Sequence, residues 1–330
     1  MIVKRLANLV RATTPLQSFT RALSSATHNG GVPPLVTCPE ALQLSSARKC
    51  VFVDASYHMN SPRDPYNEYL NCRLPGARFI PIDEIADTSN PLPHMLPSEE
   101  DFAMAMDERG ISNDDHVIVY TADGCNSGPR VWYMFKAFGH EKVSYLDGGL
   151  QAWTTGYRMP TELPTSTAPS FSSSGGSGYV AKLNRKMVAS KDDVRQAMET
   201  GIAQIADARS FGRWTGEDPE PRAGLLSGHI PGSLSMPFTY FTKSGDNTSM
   251  RSPAEIRDTF KDAGLVFGAG TISTCGSGMT AAYAVLGMAM IGKDISTMPI
   301  YDGSWTEWGA AEDTPKGGLN YDKNFGEEET

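Results

Sequence analysis

The stretch Thr271-Ile272-Ser273-Thr274-Cys275-Gly276-Ser277-Gly278-Met279-Thr280, running on into the apolar segment Ala281 to Ile291, decides how this chain folds. A short apolar run that breaks into a small-residue turn and then into a longer apolar segment reads as a buried strand over 271–274, a loop, and a helix over 279–290. The same alternation recurs along the chain, with a second helical pattern over 129–138. Strands alternating with helices predict an α/β architecture, a mostly parallel sheet with helices on both faces. In such sheets ligands sit beyond the carboxyl ends of the strands. Cys275 stands at one of those ends.

Working outward, the chain repeats itself weakly at a spacing of about 155 residues, the mark of a duplicated domain. Val51-Phe52-Val53-Asp54-Ala55 matches Gln204-Ile205-Ala206-Asp207-Ala208, and Arg73-Leu74-Pro75-Gly76-Ala77 matches His229-Ile230-Pro231-Gly232-Ser233. Further on, His116 to Tyr120 matches Gly270 to Thr274, and Tyr145-Leu146-Asp147-Gly148-Gly149 matches Ile300-Tyr301-Asp302-Gly303-Ser304. Order and spacing are kept throughout. Residues 160–178 are rich in Pro, Ser, Thr and Gly without apolar periodicity, which predicts a surface linker. The expected units are a first domain over 31–159 and a second over 179–330.

Composition narrows the function. A chain of 330 residues with a net charge of −9 is a poor partner for nucleic acid or an anionic membrane, and no apolar run is long enough to span a bilayer. A small anionic substrate held by a few focused arginines stays open. Five scattered cysteines with no CxxC pair predict neither a disulfide framework nor a thiolate metal site, and no dinucleotide or Walker motif is present, so no metal and no cofactor is expected. Residues 1–30 differ in kind. They hold Lys4, Arg5, Arg11 and Arg21, many Ser and Thr, and no acid, the composition of a transit peptide. The expected destination is the mitochondrion, with plastid or cytoplasm as alternatives.

Gly276 and Gly278 allow the loop after Cys275 to curl, so that successive amide N–H groups gather as a nest beside a helix start. Such a cradle stabilises an anion on the cysteine sulfur or a persulfide. A lone cysteine is more often an inert core residue, and Cys38, Cys50 and Cys72 are read so. Cys125 lies in the first half's counterpart loop, Thr121 to Gly128, where Thr121 occupies the position of Cys275. The first half therefore reads as catalytically silent, with Cys125 as a candidate redox or resolving thiol.

With these residues in view, both halves resemble rhodanese domains, and the loop is similar to that of the tandem 3-mercaptopyruvate sulfurtransferases. The likeness also rests on Asp207-Ala208-Arg209, Gly212-Arg213-Trp214, Glu220-Pro221-Arg222, Asp302-Gly303-Ser304-Trp305, Pro93-His94-Met95-Leu96-Pro97 and Pro129-Arg130-Val131-Trp132. The resemblance implies a two-step relay. Cys275 takes a sulfane sulfur from a small donor as a persulfide and passes it to cyanide or to a thiol acceptor, such as thioredoxin or a small dithiol. It further implies that Cys275, Gly276, Ser277, Gly278, Met279 and Thr280 form the catalytic loop, while Arg213 and Arg222 grip the donor's carboxylate and ketone, a task suited to a planar fork of donors. Without a substrate role, each arginine would pair with Glu217, Asp218 or Glu220. Ser277 either serves the substrate oxygen or caps the following helix.

Relatives that prefer thiosulfate carry basic residues at the two positions after the cysteine, and here those are Gly276 and Ser277. Neutral residues favour mercaptopyruvate over a doubly charged donor. The family's assisting His, sought in the segment matching His229-Ile230-Pro231-Gly232, is replaced by Arg73. Asp64 is the acid expected beside it, and His229 is expected to be structural. A thiosulfate sulfurtransferase is the first rival. A cysteine phosphatase would need an arginine six residues after the cysteine, where Ala281 stands. A non-catalytic sulfur-sensing module would have lost the cysteine or the arginines.

Overall fold

The computed structural model describes residues 32–59, 61–167, 169–171 and 178–321. The expected transit segment over 1–30 lies outside them. In the first half, β1 (Leu35–Val36), β2 (Val51–Asp54), β3 (Arg78–Phe79), β4 (Val117–Tyr120) and β5 (Val143–Leu146) form one sheet in the order β1-β5-β4-β2-β3. In the second, β6 (Val188–Ala189), β7 (Ala203–Asp207), β8 (Leu234–Ser235), β11 (Gly270–Thr274) and β12 (Ile300–Tyr301) form another in the order β6-β12-β11-β7-β8. Every pairing in both is parallel, and the second order is the first one repeated. The expected α/β duplication is thus the observed architecture. A separate hairpin pairs β9 (Thr242–Lys243) with β10 (Asp246–Met250).

Val117 to Tyr120 are all buried, as a central parallel strand covered on both faces requires. Local sequence starts the helices. Ser252 and Glu255 bond reciprocally across the first turn of Pro253–Asp262, and Thr37 with Glu40 do the same at Cys38–Ser46. Between the sheets, residues 160–167 and 169–171 run over the first half. Glu162 pairs there with Arg73, and Phe171 lies under the Arg78 guanidinium.

The halves share one apolar core that includes Trp132 and Phe135 on one side and Tyr283 and Leu286 on the other. The helices Gly128–Ala137 and Ala282–Met290 pack together across this seam. Equivalent aspartates tie it reciprocally. Asp302 accepts from the Leu96 amide at 2.7 Å, and Asp147 accepts from the Met250 amide at 2.8 Å. The second helix begins at Ala282 rather than at Met279. Gly278, at φ +73°, breaks the helical path, and the chain makes a further turn before it can start the helix.

Candidate active site

β11 delivers Cys275 to its carboxyl end, into an interdomain cleft of about 430 Å³. The cleft is lined by Cys275, Gly276, Ser277, Met279 and Thr280 of the loop, by Arg213 and Arg222, and on the first-domain side by Tyr57, Arg63 and His94. Cys275 is 2% exposed. Gly278 does not line the cleft but shapes the loop: a β-carbon there would meet Asp302 Oδ1 at 2.8 Å. The Cys275 and Gly278 amides donate to Ser304 Oγ at 3.2 and 3.0 Å. The amides of Gly276, Ser277, Met279 and Thr280 donate to no protein acceptor among the described residues. These four amides are the donors left over for the expected nest, and the other two serve to hold the loop.

Arg213 and Arg222 press on the loop from one side. A β-carbon on Gly276 would lie 3.0 Å from Arg213 Nη2 and 3.7 Å from Arg222 Nη1, so a side chain at the position after the cysteine would have to displace the Arg213 guanidinium. Arg213 turns Nε and Nη2 toward Glu220, at 3.2 and 2.5 Å. Glu220 also pairs with Arg209, itself locked to Asp207. The alternative ion pair for Arg213 is therefore real. It uses one edge of the guanidinium and leaves the Nη1 donors and one on Nη2. Arg222 takes part in no carboxylate pair among the described residues and donates to Ser277 Oγ at 3.2 Å.

Ser277 does not cap the helix, whose start has no side-chain cap. Its Oγ lies 3.0 Å from His94 Nδ1, and His94 Nε2 lies 3.1 Å from Asp83 Oδ1. Arg222 occupies one lone pair of Ser277 Oγ and leaves the hydroxyl its proton and a second acceptor site, so the contact with His94 Nδ1 runs either way according to the His94 tautomer. Burial, reinforced by Arg130 and Arg222, pushes His94 down to about 4. With the imidazole neutral the Asp83 contact is not an ion pair, and the hydrogen-bond partner of Nε2 is the Tyr57 hydroxyl at 3.4 Å. His94 sits at φ +63°, in the left-handed region that a non-glycine residue enters at a cost of about 1–2 kcal/mol. Arg130 holds it there by donating to the His94 carbonyl at 2.6 Å, while its other end pairs with Asp302 at 2.7 Å.

Two expectations are corrected. Arg73 is 2% exposed, pairs with Glu162 at 2.7 Å and donates to Thr165, so it neither stabilises a thiolate nor meets Asp64. Asp64 caps the helix Pro65–Asn71 through the amides of Tyr66 and Asn67. Neither lines the cleft. His94 lines the cleft and meets Ser277 from the first domain, with Tyr57 and Asp83 against its Nε2. The signal for His94 was the segment between Pro93 and Pro97, whereas nothing local marked Asp83. His229 stacks on Trp214 at 4.0 Å. Cys125 is buried, and its sulfur lies within hydrogen-bonding reach of His58, 3.6 Å from Nδ1 and 3.8 Å from Nε2. Burial lifts its thiol to about 11, so it is a poor nucleophile.

Comparison with known proteins agrees with this geometry. The model for the rhodanese-like domain matches residues 37–155 and again 190–311. The chain is 39% identical over 267 residues to the 3-mercaptopyruvate sulfurtransferase of Mus musculus, covering 80% of this chain and 86% of that protein. It is also 39% identical over 279 residues to the thiosulfate/3-mercaptopyruvate sulfurtransferase 1, mitochondrial, of Arabidopsis thaliana, covering 80% and 72%. Among solved structures it resembles SseA of Escherichia coli, a 3-mercaptopyruvate sulfotransferase, with a TM-score of 0.71, 34% identity, and 83% and 99% of the two chains covered. With two rhodanese-like domains, a shared parallel-sheet topology and relatives that are sulfur-transferring enzymes, this chain belongs to the rhodanese-like family as a tandem-domain sulfurtransferase.

Proposed function

We propose that 3-mercaptopyruvate is the sulfur donor and that Cys275 carries the sulfur. The observation that carries this reading is the placement of Arg213 and Arg222 against Gly276, next to the sulfur, beside an otherwise neutral loop. A donor carboxylate takes the free edge of Arg213, and the neighbouring ketone oxygen takes Arg222 and the Ser277 hydroxyl. The Cys275 thiolate attacks the donor sulfur. The carbon–sulfur bond breaks, its electron pair passes onto the ketone as an enolate, and protonation of the methylene carbon releases pyruvate. The persulfide rests against the four unpaired amides. A thiolate acceptor then attacks the outer sulfur, leaves as its own persulfide, and returns Cys275 as thiolate. The first domain forms no covalent intermediate and contributes His94 and Asp83.

A small thiol or a thioredoxin-like protein is the proposed acceptor, since the cleft opens to solvent between the domains and holds only a small donor. The proposed address is mitochondrial, from the composition of residues 1–30. The decisive experiment compares kcat/KM for mercaptopyruvate and thiosulfate, with a dithiol or cyanide as acceptor. The ratio favours mercaptopyruvate, and Arg222→Ala raises KM for mercaptopyruvate by at least about tenfold while changing that for thiosulfate far less. A preference for thiosulfate, or equal losses on both donors, refutes the carboxylate clamp.

A further inference from the structure

Resting on the reading of Cys275 as nucleophile, we propose that Ser304 is the positioning residue that sets the shape of the catalytic loop. Ser304 is fully buried and sits at φ +50°. Its hydroxyl donates to the Tyr301 carbonyl at 2.7 Å and accepts from the amides of Cys275 and Gly278 at 3.2 and 3.0 Å. One oxygen thus uses its single donor and both acceptor sites, and it pins the loop at its first residue and at its left-handed turn.

The next two residues grip the same loop by its carbonyls. The Trp305 amide donates to the Cys275 carbonyl at 3.0 Å, and Thr306 donates to the Gly276 carbonyl through both its amide, at 2.9 Å, and its hydroxyl, at 2.5 Å. A trans peptide directs its N–H opposite to its C=O. With these two carbonyls drawn toward residues 305 and 306, the Gly276 and Ser277 amides face the other way, and both residues line the cleft. The turn after β12 therefore leaves unpaired the amides that receive charge on the sulfur.

The first domain supplies an internal control. Its counterpart of Ser304 is Gly149, at φ +51°, and the Leu150 amide donates to the Thr121 carbonyl at 2.9 Å just as Trp305 does to Cys275. The turn and the grip are repeated, but the left-handed residue is glycine where no nucleophile stands. Glycine takes this backbone freely, and serine does so against its own β-carbon. At Gly149 a β-carbon would meet the Thr121 carbonyl oxygen at 2.5 Å, whereas the matching turn of the second domain carries a β-carbon and a hydroxyl beneath the cysteine loop.

The test uses the full-length enzyme and two variants. Ser304→Gly relieves the backbone and removes the oxygen, and Ser304→Ala keeps the β-carbon and the strain and removes only the oxygen. Both lower kcat by up to about a hundredfold, as expected of a misplaced reacting group, while KM for the donor stays within about twofold because Arg213 and Arg222 are untouched. A purely structural serine gives a different pattern. Ser304→Gly then turns over like wild type whatever its melting temperature, and that outcome overturns the proposal, as does a loss carried by KM. Where Ser304→Gly loosens the turn, Ser304→Ala decides alone, and a wild-type kcat there refutes the proposal too. A Cys275→Ser control separates the two readings. If it still forms a persulfide, the nucleophile assignment falls and Ser304 with it; if it is inert while both Ser304 variants run at full rate, only the Ser304 inference falls.

Discussion

At the scale of single residues, His94 joins the first domain to the cysteine loop. It is neutral, held in a strained backbone, and placed between a serine hydroxyl and a carboxylate. His94 Nδ1 and the Arg222 guanidinium hold the Ser277 hydroxyl between them in the cleft. His94→Ala is expected to lower kcat by about a hundredfold with little change in KM, since proton-transfer groups act in the transition state. An effect confined to KM would instead make His94 a binding residue. Ser277 and the two arginines were legible because Cys275-Gly276-Ser277-Gly278 and Glu220-Pro221-Arg222 are compact in sequence. The sequence repeat led to Arg73 as the counterpart of His229, and both positions are structural: Arg73 joins Glu162 and His229 joins Gly317 across matching bridges. Similarity within the repeat identified equivalent places in the fold, not equivalent chemistry.

At the scale of elements, the helix Gly128–Ala137 reaches across the domain seam through Arg130. This guanidinium is fully buried, pairs with Asp302 and donates to the carbonyls of His94 and Gly278. It joins the first-domain histidine segment to the second-domain loop. Removing one partner of a buried pair leaves an uncompensated charge, so Arg130→Met is expected to cost about 3–5 kcal/mol in urea unfolding. Arg130→Met with Asp302→Asn removes that charge while keeping an acceptor for the Leu96 amide, and it recovers much of the loss. A double variant no more stable than Arg130→Met refutes the charge account. The strand and helix order was readable from the alternation of short apolar runs with longer ones. The late start of the helix at Ala282 was not, because Met279, Thr280 and Ala281 include no helix breaker. Only the left-handed turn at Gly278 diverts them.

At the scale of the whole molecule, three buried histidines couple stability to pH. Burial pushes His94 and His116 down to about 4, and it also lowers His140. The unfolded chain protonates histidine near pH 6.5, whereas the folded chain resists until about pH 4. The unfolded state therefore binds more protons as pH falls through that window, and stability drops with it. Asp54, raised to about 6 by burial, opposes this between its ordinary value and 6, because there the folded state binds the extra proton. Urea unfolding is expected to weaken from pH 6.5 toward 4, and His116→Asn is expected to remove up to about 3 kcal/mol of that dependence. An unchanged pH slope in His116→Asn rules His116 out as a contributor.

Sequence by itself determined the duplicated parallel-sheet architecture, since the period of the apolar runs and the 155-residue echo are properties of the chain. It also singled out the Cys275 loop and the two arginines that line one cleft with it, since they lie in short motifs. Tertiary structure decided what met across the domain seam: His94 and Asp83 beside Ser277, Arg130 against Asp302, and Ser304 beneath the loop. Ser277 and His94 are 183 residues apart, and the contact between them exists only after two domains have buried a common core. Local pattern carries the free energy of strands and helices. Positions that meet only through packing leave no mark on their neighbours in the chain.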